Sequence, residues 1–269
     1  MRKIGFIGAG NMAGALVRGL VRAKKVAARD MWASDAVPAQ LQRLRRTHKI
    51  AVTRDNLELV RGSGIVVLAV KPQVLEQVLT EIRPVVSPRT LFISIAAGFP
   101  LARLEAGLGG SARVVRVMPN TPALVGRGVS VAVAGAHARA ADLKRTLRLF
   151  RAVGEAYPVD DEGLIDAVTA LSGSGPAFVY RFAEMLIAGG CHGGLGSTLA
   201  ARLAFGTLAG AAAMLIETGK TPQELREMVS SPGGTTLAGL AALEANGFER
   251  AVLAALEAAA RRARELAAA

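Results

Sequence analysis

The sequence predicts an α/β domain followed by an all-α domain, and three observations carry that reading. Short β-branched runs alternate with helical patterns up to about residue 160, the strand signal stops beyond Glu162, and a glycine-rich turn directly follows the first predicted strand. Strands are predicted at 3–7, 31–34, 50–53, 65–70, 90–95, 113–118 and 129–134. The first five are short and mostly apolar on both faces, as in a parallel sheet covered by helices on both sides. Pro72, just after Val70-Lys71, and Pro38, opening a segment that runs to Arg46, sit where helices begin. Helical spacing then fills 163–171, 176–189, 197–217, 222–229, 235–246 and 248–266, with breaks at Ser172–Pro176, Gly193-Gly194, Gly219 and Ser231–Gly234. The expected domains are 1–160 and 161–269.

Composition excludes several classes. With 269 residues, 51% of them hydrophobic, the chain has ample core and is not intrinsically disordered. A single cysteine, Cys191, excludes a disulfide scaffold and fits a reducing cytoplasm. Residues 185–201 form the longest apolar stretch without formal charge, but it carries His192 and is broken by glycines, so no membrane span is expected. The start, Met1-Arg2-Lys3 leading into Ile4-Gly5-Phe6-Ile7, lacks the apolar region of a signal peptide. The net charge of +12 raises the question of nucleic acid. The basic residues, 26 Arg and 7 Lys, are scattered along the sequence, and the aromatic share is only 4%. Even the densest groups, Arg43-Leu44-Arg45-Arg46 and Arg261-Arg262-Ala263-Arg264, fall on predicted helices, where they read as solvated faces rather than a phosphate-tracking stripe. A basic field still attracts small anions. No nucleic-acid partner and no metal are expected.

The first motif with chemical content is Gly8-Ala9-Gly10-Asn11-Met12-Ala13. Gly8 permits a tight turn, Gly10 lets a pyrophosphate approach the backbone, and Ala13 lets the helix pack close to the strand. The helix N-terminus then faces the phosphates. Position after a strand and before a helix makes this a Rossmann-type dinucleotide site rather than a chance glycine pattern. Asp35, after the second strand, either reaches the adenosine ribose or caps the helix opened by Pro38. Asn56 either contacts the adenosine or caps its own helix. Ala69-Val70-Lys71-Pro72 and Ile95-Ala96-Ala97-Gly98 end the fourth and fifth strands, where ligands of open α/β sheets bind. Lys71 is there either a catalytic or anion-binding group or a solvated lysine. Met118-Pro119-Asn120-Thr121-Pro122 offers the Asn120 amide to the same cleft. In the helical half, Ser172-Gly173-Ser174-Gly175-Pro176 and Ser230-Ser231-Pro232-Gly233-Gly234-Thr235-Thr236 each put hydroxyls and N–H groups at an expected helix start, suited to a carboxylate.

Gly5–Ala13, Ala69–Pro72, Leu171–Phe178 and Val229–Thr236, in that order over essentially the whole chain, resemble the pyrroline-5-carboxylate reductase family. The resemblance implies reduction of the cyclic imine 1-pyrroline-5-carboxylate to L-proline with NADPH or NADH, the last step of proline biosynthesis. It implies cofactor contacts at Ile7, Gly8, Ala9, Gly10, Asn11, Met12, Ser34, Asn56, Ala69, Val70, Lys71, Pro72, Ala96 and Ala97. It places substrate contacts at Ser231, Gly233, Gly234, Thr235 and above all Thr236, with Glu162 and Ser174 nearby. Family members dimerise through their C-terminal helices and assemble further into rings, so a dimer or decamer is implied. Asp35 departs from relatives that carry a neutral or phosphate-binding residue there, which shifts the expectation toward NADH with NADPH also accepted.

The residues agree with an imine substrate. Reducing a ketone creates an alkoxide and calls for a positioned acid, commonly His or Lys. His48, His137 and His192 lie outside every motif, and Lys220 is the only lysine of the second half. A protonated imine becomes a neutral amine on hydride transfer and asks mainly for orientation and a dry carboxylate cradle. Thr236, Lys71 and Ser174 are the candidate catalytic residues. The alternatives are a β-hydroxyacid dehydrogenase-like enzyme, disfavoured because 176–189 lacks a lysine, and a non-catalytic dinucleotide sensor, disfavoured by the intact 230–236 loop.

Overall fold

A computed structural model of the chain describes residues 3–268. Eight strands, β1 (Ile4–Ile7), β2 (Met31–Ser34), β3 (Ala51–Thr53), β4 (Ile65–Leu68), β5 (Leu91–Ser94), β6 (Arg113–Met118), β7 (Gly128–Ala134) and β8 (Gly154–Pro158), form one sheet in the order β3-β2-β1-β4-β5-β6-β7-β8. All neighbours run parallel except β6 and β7, which are antiparallel. The first six strands follow the order of a doubly wound dinucleotide fold, with the crevice where the order reverses at β1. The near-continuous apolar runs are explained by burial on both faces. Val67 packs with Phe6 and Leu16 on one side, whereas its neighbours Val66 and Leu68 pack with Ile7 and Phe92 on the other.

Helices α1 (Asn11–Arg22), α2 (Pro38–His48), α3 (Asn56–Arg61), α4 (Pro72–Ile82), α5 (Leu101–Gly107) and α6 (Ala140–Phe150) connect the strands. The prolines stand at the first helical positions of α2 and α4, as the sequence predicts. β8 was not predicted. Its Gly-Glu-Ala-Tyr-Pro sequence has no apolar alternation, and Pro158 is tolerated because the strand lies at the sheet edge.

The chain forms two compact units: one runs to Ser174 and takes back the chain end from Ala259 onward, and the other is Gly175–Ala258. This division comes later than the expected 160/161. The reason is α7 (Leu164–Val168), whose Ile165 is fully buried among sheet-facing residues of the first unit. The end of α12 (Phe248–Ala268) belongs with the first unit too, where Leu266 lies against Gly98.

The second unit is helical: α8 (Gly175–His192), α9 (Ser197–Thr218), α10 (Pro222–Met228), α11 (Thr235–Ala245) and the first part of α12. Thr221 and Glu224 form a reciprocal capping box on α10. These helices bury little of themselves. Phe205, Leu203 and Ile216 are 57%, 51% and 72% exposed, and only Ala183, Ala200 and Ala204 are buried in α8 and α9. α9 is also, among the described residues, the one helix long and apolar enough by length and composition to cross a bilayer.

One expected break is absent. Ser172-Gly173-Ser174 is not a loop offering free N–H groups: Thr169–Gly173 forms a π-helical turn continuing α7, and the Ser174 N–H donates to the Thr169 carbonyl at 2.8 Å. Serine and glycine are poor helix formers, but surrounding packing overrides that weak preference.

Candidate active site

The site is built from the carboxyl end of β1. The Gly8 N–H donates to the Ser34 carbonyl at 2.8 Å and its φ of +100° suits only glycine, so the chain turns sharply out of the strand. A Cβ at Gly8 would lie 2.5 Å from the Ala69 carbonyl oxygen, so this turn is packed against the loop after β4. Gly10 is the opposite case. Its backbone is extended, and a Cβ there would meet nothing within 4 Å. Gly10 caps α1 without a side-chain bond, no carboxylate lies in the first turn, and the N–H groups of Asn11, Met12 and Ala13 have no acceptor among the described residues. Open space beside unpaired amides at a positive helix end fits a pyrophosphate.

Around this loop the sequence-predicted residues come together within the first unit. Asp35 does not cap α2: its N-cap is Val37, with no side-chain bond. Instead Asp35 Oδ2 accepts the Ala9 N–H at 2.7 Å and Oδ1 accepts the Val37 N–H at 2.8 Å, which fixes the glycine loop to the end of β2. Ser34, fully buried, donates to Asn56 Oδ1 at 2.6 Å, and the Asn56 amide donates to Glu81 at 2.8 Å. Asn56 does not cap its helix, because Asp55 accepts from Leu57 and Glu58 in that role. Lys71 is the N-cap of α4, exposed, with no ion pair among the described residues. The Ala69 N–H donates to Ile7 and the Ala96 N–H to the Ser94 hydroxyl, which position both loops beside the crevice.

Of the α2 arginines, Arg45 and Arg46 are exposed, as a solvated face requires, but Arg43 departs from that reading. Its guanidinium donates to Asn11 Oδ1 and to the Ala9 carbonyl, both at 3.1 Å, and so places a cation on the dinucleotide loop. No local signal pointed to it, because its partners on the glycine loop lie 32 and 34 positions away in sequence. Burial, then the charges of Arg18 and Arg43, hold the neighbouring His48 below the ordinary imidazole pKa.

Two other candidates have structural duties. Asn120 does not offer its amide to a cleft: it donates to the Ser172 carbonyl at 3.1 Å and accepts the Val129 N–H at 2.8 Å. Glu162 Oε1 accepts from the buried Arg116 at 2.6 Å and from the Leu101 N–H at the start of α5 at 2.8 Å. In the second unit, the Ser231–Thr236 loop leads into α11 without a side-chain cap. Gly233 has a φ of +70°, Gly234 caps α11 without a side chain, no acid lies in the first turn, and the N–H groups of Thr235 and Thr236 have no acceptor among the described residues. The Thr236 hydroxyl also has no partner among the described residues.

Fold and site together define a dinucleotide-dependent oxidoreductase with a helical second domain. Residues 3–98 match the family described as NADP oxidoreductase, coenzyme F420-dependent, and residues 162–266 match the one described as pyrroline-5-carboxylate reductase dimerisation. A pyrroline-5-carboxylate reductase of Pseudomonas aeruginosa is 45% identical over 98% of this chain and 97% of its own. The structure of a pyrroline-5-carboxylate reductase from Coxiella burnetii superposes with a TM-score of 0.93 at 34% identity, covering 98% of both chains. That of the Plasmodium falciparum pyrroline carboxylate reductase, with NADP bound, gives 0.88 at 34% identity and the same coverage. The chain belongs to the pyrroline-5-carboxylate reductase family.

Proposed function

We propose that this chain reduces 1-pyrroline-5-carboxylate to L-proline with NADPH or NADH, acting in the cytoplasm as a self-associated enzyme. The observation that carries the reading is the pair of unopposed helix N-termini, one at Gly10 in the first unit and one at Gly234 in the second. The first suits the pyrophosphate of a dinucleotide and the second suits the substrate carboxylate. Bound NAD(P)H supplies the hydride.

The chain's own residues do the rest. The Asn11–Ala13 amides hold the pyrophosphate, while Ser34, Asn56 and Arg43 face the adenosine side. Lys71 and the Ala96-Ala97 backbone face the nicotinamide side. Amides of Thr235 and Thr236 hold the substrate carboxylate, and the Thr236 hydroxyl orients the ring nitrogen. Ser174 contributes its hydroxyl, since its N–H is already used. Glu162 keeps one oxygen for substrate after its Oε1 is taken. No residue needs to serve as a strong acid, because a protonated imine becomes neutral when it accepts the hydride.

Asp35 is occupied by two backbone N–H groups, so it repels a 2′-phosphate less than a free carboxylate would. Arg43 offers the compensating cation, and both cofactors are accepted. α8, α9 and α11 expose large apolar side chains, among them Tyr180, Phe205, Ile216 and Leu237, and we assign these faces to self-association rather than to a bilayer. The dimerisation match over 162–266 supports this; whether dimers join into a decamer is part of the same proposal. Mixing the protein with NADPH and 1-pyrroline-5-carboxylate tests the reading. Loss of absorbance at about 340 nm, with proline formed in equal amount, is the expected outcome; absence of both overturns it.

A further inference from the structure

Basic residues scattered along the sequence are gathered by the fold at the amino ends of the strands, the edge of the sheet away from the dinucleotide loop. A cavity of about 720 Å³ there is lined by Lys25, Arg139, Lys144, Arg145 and Arg148, together with Arg89 and Arg113. Ile65 begins β4, Arg113 begins β6, Arg89 precedes β5, Lys25 lies in the turn after α1, and Arg139 is the N-cap of α6, which itself supplies Lys144, Arg145 and Arg148. Lys144 and Arg148 are one helical turn apart, with Ala141 and Arg145 on the same side of α6, so one face of that helix is turned into the cavity.

Five of these cations carry charge that no carboxylate neutralises among the described residues. Asp142 is the carboxylate of α6, but it is 3% exposed and already holds Arg113 through both oxygens, at 3.0 and 3.1 Å. Lys25, Arg139, Lys144, Arg145 and Arg148 form no ion pair among the described residues. A smaller hollow of about 370 Å³, lined by Lys3 and Arg61, adjoins and shares Arg89. Like charges crowded around a concavity repel one another, and the low-dielectric walls sharpen the field.

We propose that this cavity is a second ligand site, for a small molecule carrying a chain of two or more phosphates. Its volume falls in the range of small-molecule pockets. Five unpaired cations match the three or four negative charges of a di- or triphosphate, and arginine forks suit phosphate oxygens. Val26, Ile65, Pro88 and Leu149 supply an apolar wall, but no aromatic ring lines the cavity, so recognition rests on the phosphates rather than on base stacking. The strands between this edge and the glycine loop are four residues long in β1 and β4, roughly 13 Å, so this ligand and the dinucleotide do not compete for space.

Calorimetric titration with sodium tripolyphosphate tests this, on the full chain with one equivalent of NADP⁺ per chain to fill the dinucleotide site. One saturable site per chain is expected at near-physiological salt. It should weaken at least tenfold in a Lys144→Glu/Arg148→Glu variant and remain in a charge-matched Arg45→Glu/Arg46→Glu control. All four residues are exposed, so unchanged melting temperature and unchanged reductase activity report an intact fold. Three results would overturn the proposal. They are no saturable binding in the unaltered chain, equal weakening in both variants, and tighter binding of a single-stranded oligonucleotide than of tripolyphosphate through the same residues. If the double variant does not fold, Lys144→Gln alone is expected to weaken binding threefold or more, and undiminished binding in it counts against the site.

Discussion

Replacing Gly10 with alanine separates the folding role of the glycine loop from its binding role. Gly10 has an extended backbone that any residue adopts, and a Cβ there meets nothing within 4 Å. The protein should therefore accept alanine at no steric cost, and the lost freedom of the unfolded chain stabilises it by about 0.4–1 kcal/mol. The same methyl group occupies the space through which a pyrophosphate must approach the Asn11–Ala13 amides. Charge-assisted hydrogen bonds to such amides are each worth about 1.5–3 kcal/mol. Losing one of them weakens dinucleotide binding by roughly tenfold to 150-fold. Gly8→Ala is the converse: a φ of +100° and a Cβ 2.5 Å from the Ala69 carbonyl make it a folding defect. Calorimetric titration with NADPH, beside a melting curve, reads both effects. A Gly10→Ala protein that melts at or above the parent temperature and binds NADPH as tightly as the parent would refute the placement of the pyrophosphate over Gly10.

Thr236→Ala should lower kcat/KM by roughly 10-fold to 200-fold, about 1.4–3 kcal/mol of transition-state stabilisation. Its melting temperature should hardly move, because the hydroxyl has no partner among the described residues; a less stable but fully active variant would remove Thr236 from the reaction. Arg43→Ala should raise KM for NADPH by about tenfold and that for NADH by less, since only one of them carries the extra phosphate; equal effects would place Arg43 on the shared pyrophosphate instead. His48 is held below the ordinary imidazole value, so the unfolded chain binds its proton more readily, and stability falls as pH drops through about 6.5. A His48→Gln variant should lose less melting temperature than the parent between pH 8 and pH 5.5; an equal loss would show that burial and the charges of Arg18 and Arg43 do not depress the imidazole. Sedimentation at micromolar concentration should show no 27.8 kDa species as the main component, and a single monomer would contradict the assignment of the bare helical faces.

What the sequence revealed and what it hid follow from the range of the interactions. β1 to β7 lie within two residues of their predicted places, because both-face burial leaves an unbroken apolar run in β1 and β4 and β-branched residues recur in β3, β6 and β7. The glycine turn was legible because Gly8 and Gly10 answer to local geometry. β8 was hidden because an edge strand needs no alternation, and the 169–173 turn because serine and glycine mark breaks in most contexts. The duties of Asp35, Asn120 and Glu162 were out of reach for another reason. Each is set by a partner 9 to 61 positions away: Ala9 for Asp35, Val129 and Ser172 for Asn120, Arg116 and Leu101 for Glu162. Arg43 and the cations around the 720 Å³ cavity looked like ordinary solvated arginines for the same reason, since only the fold brings them to one place.

The most direct test of the central claim is to follow a labelled hydride. Run with 1-pyrroline-5-carboxylate and NADPH carrying deuterium at the transferable position of the nicotinamide, the protein should yield L-proline with one deuterium on the ring carbon that was double-bonded to nitrogen. One equivalent of cofactor should be oxidised for each proline formed. Proline free of deuterium, or cofactor oxidation without proline, would contradict the account.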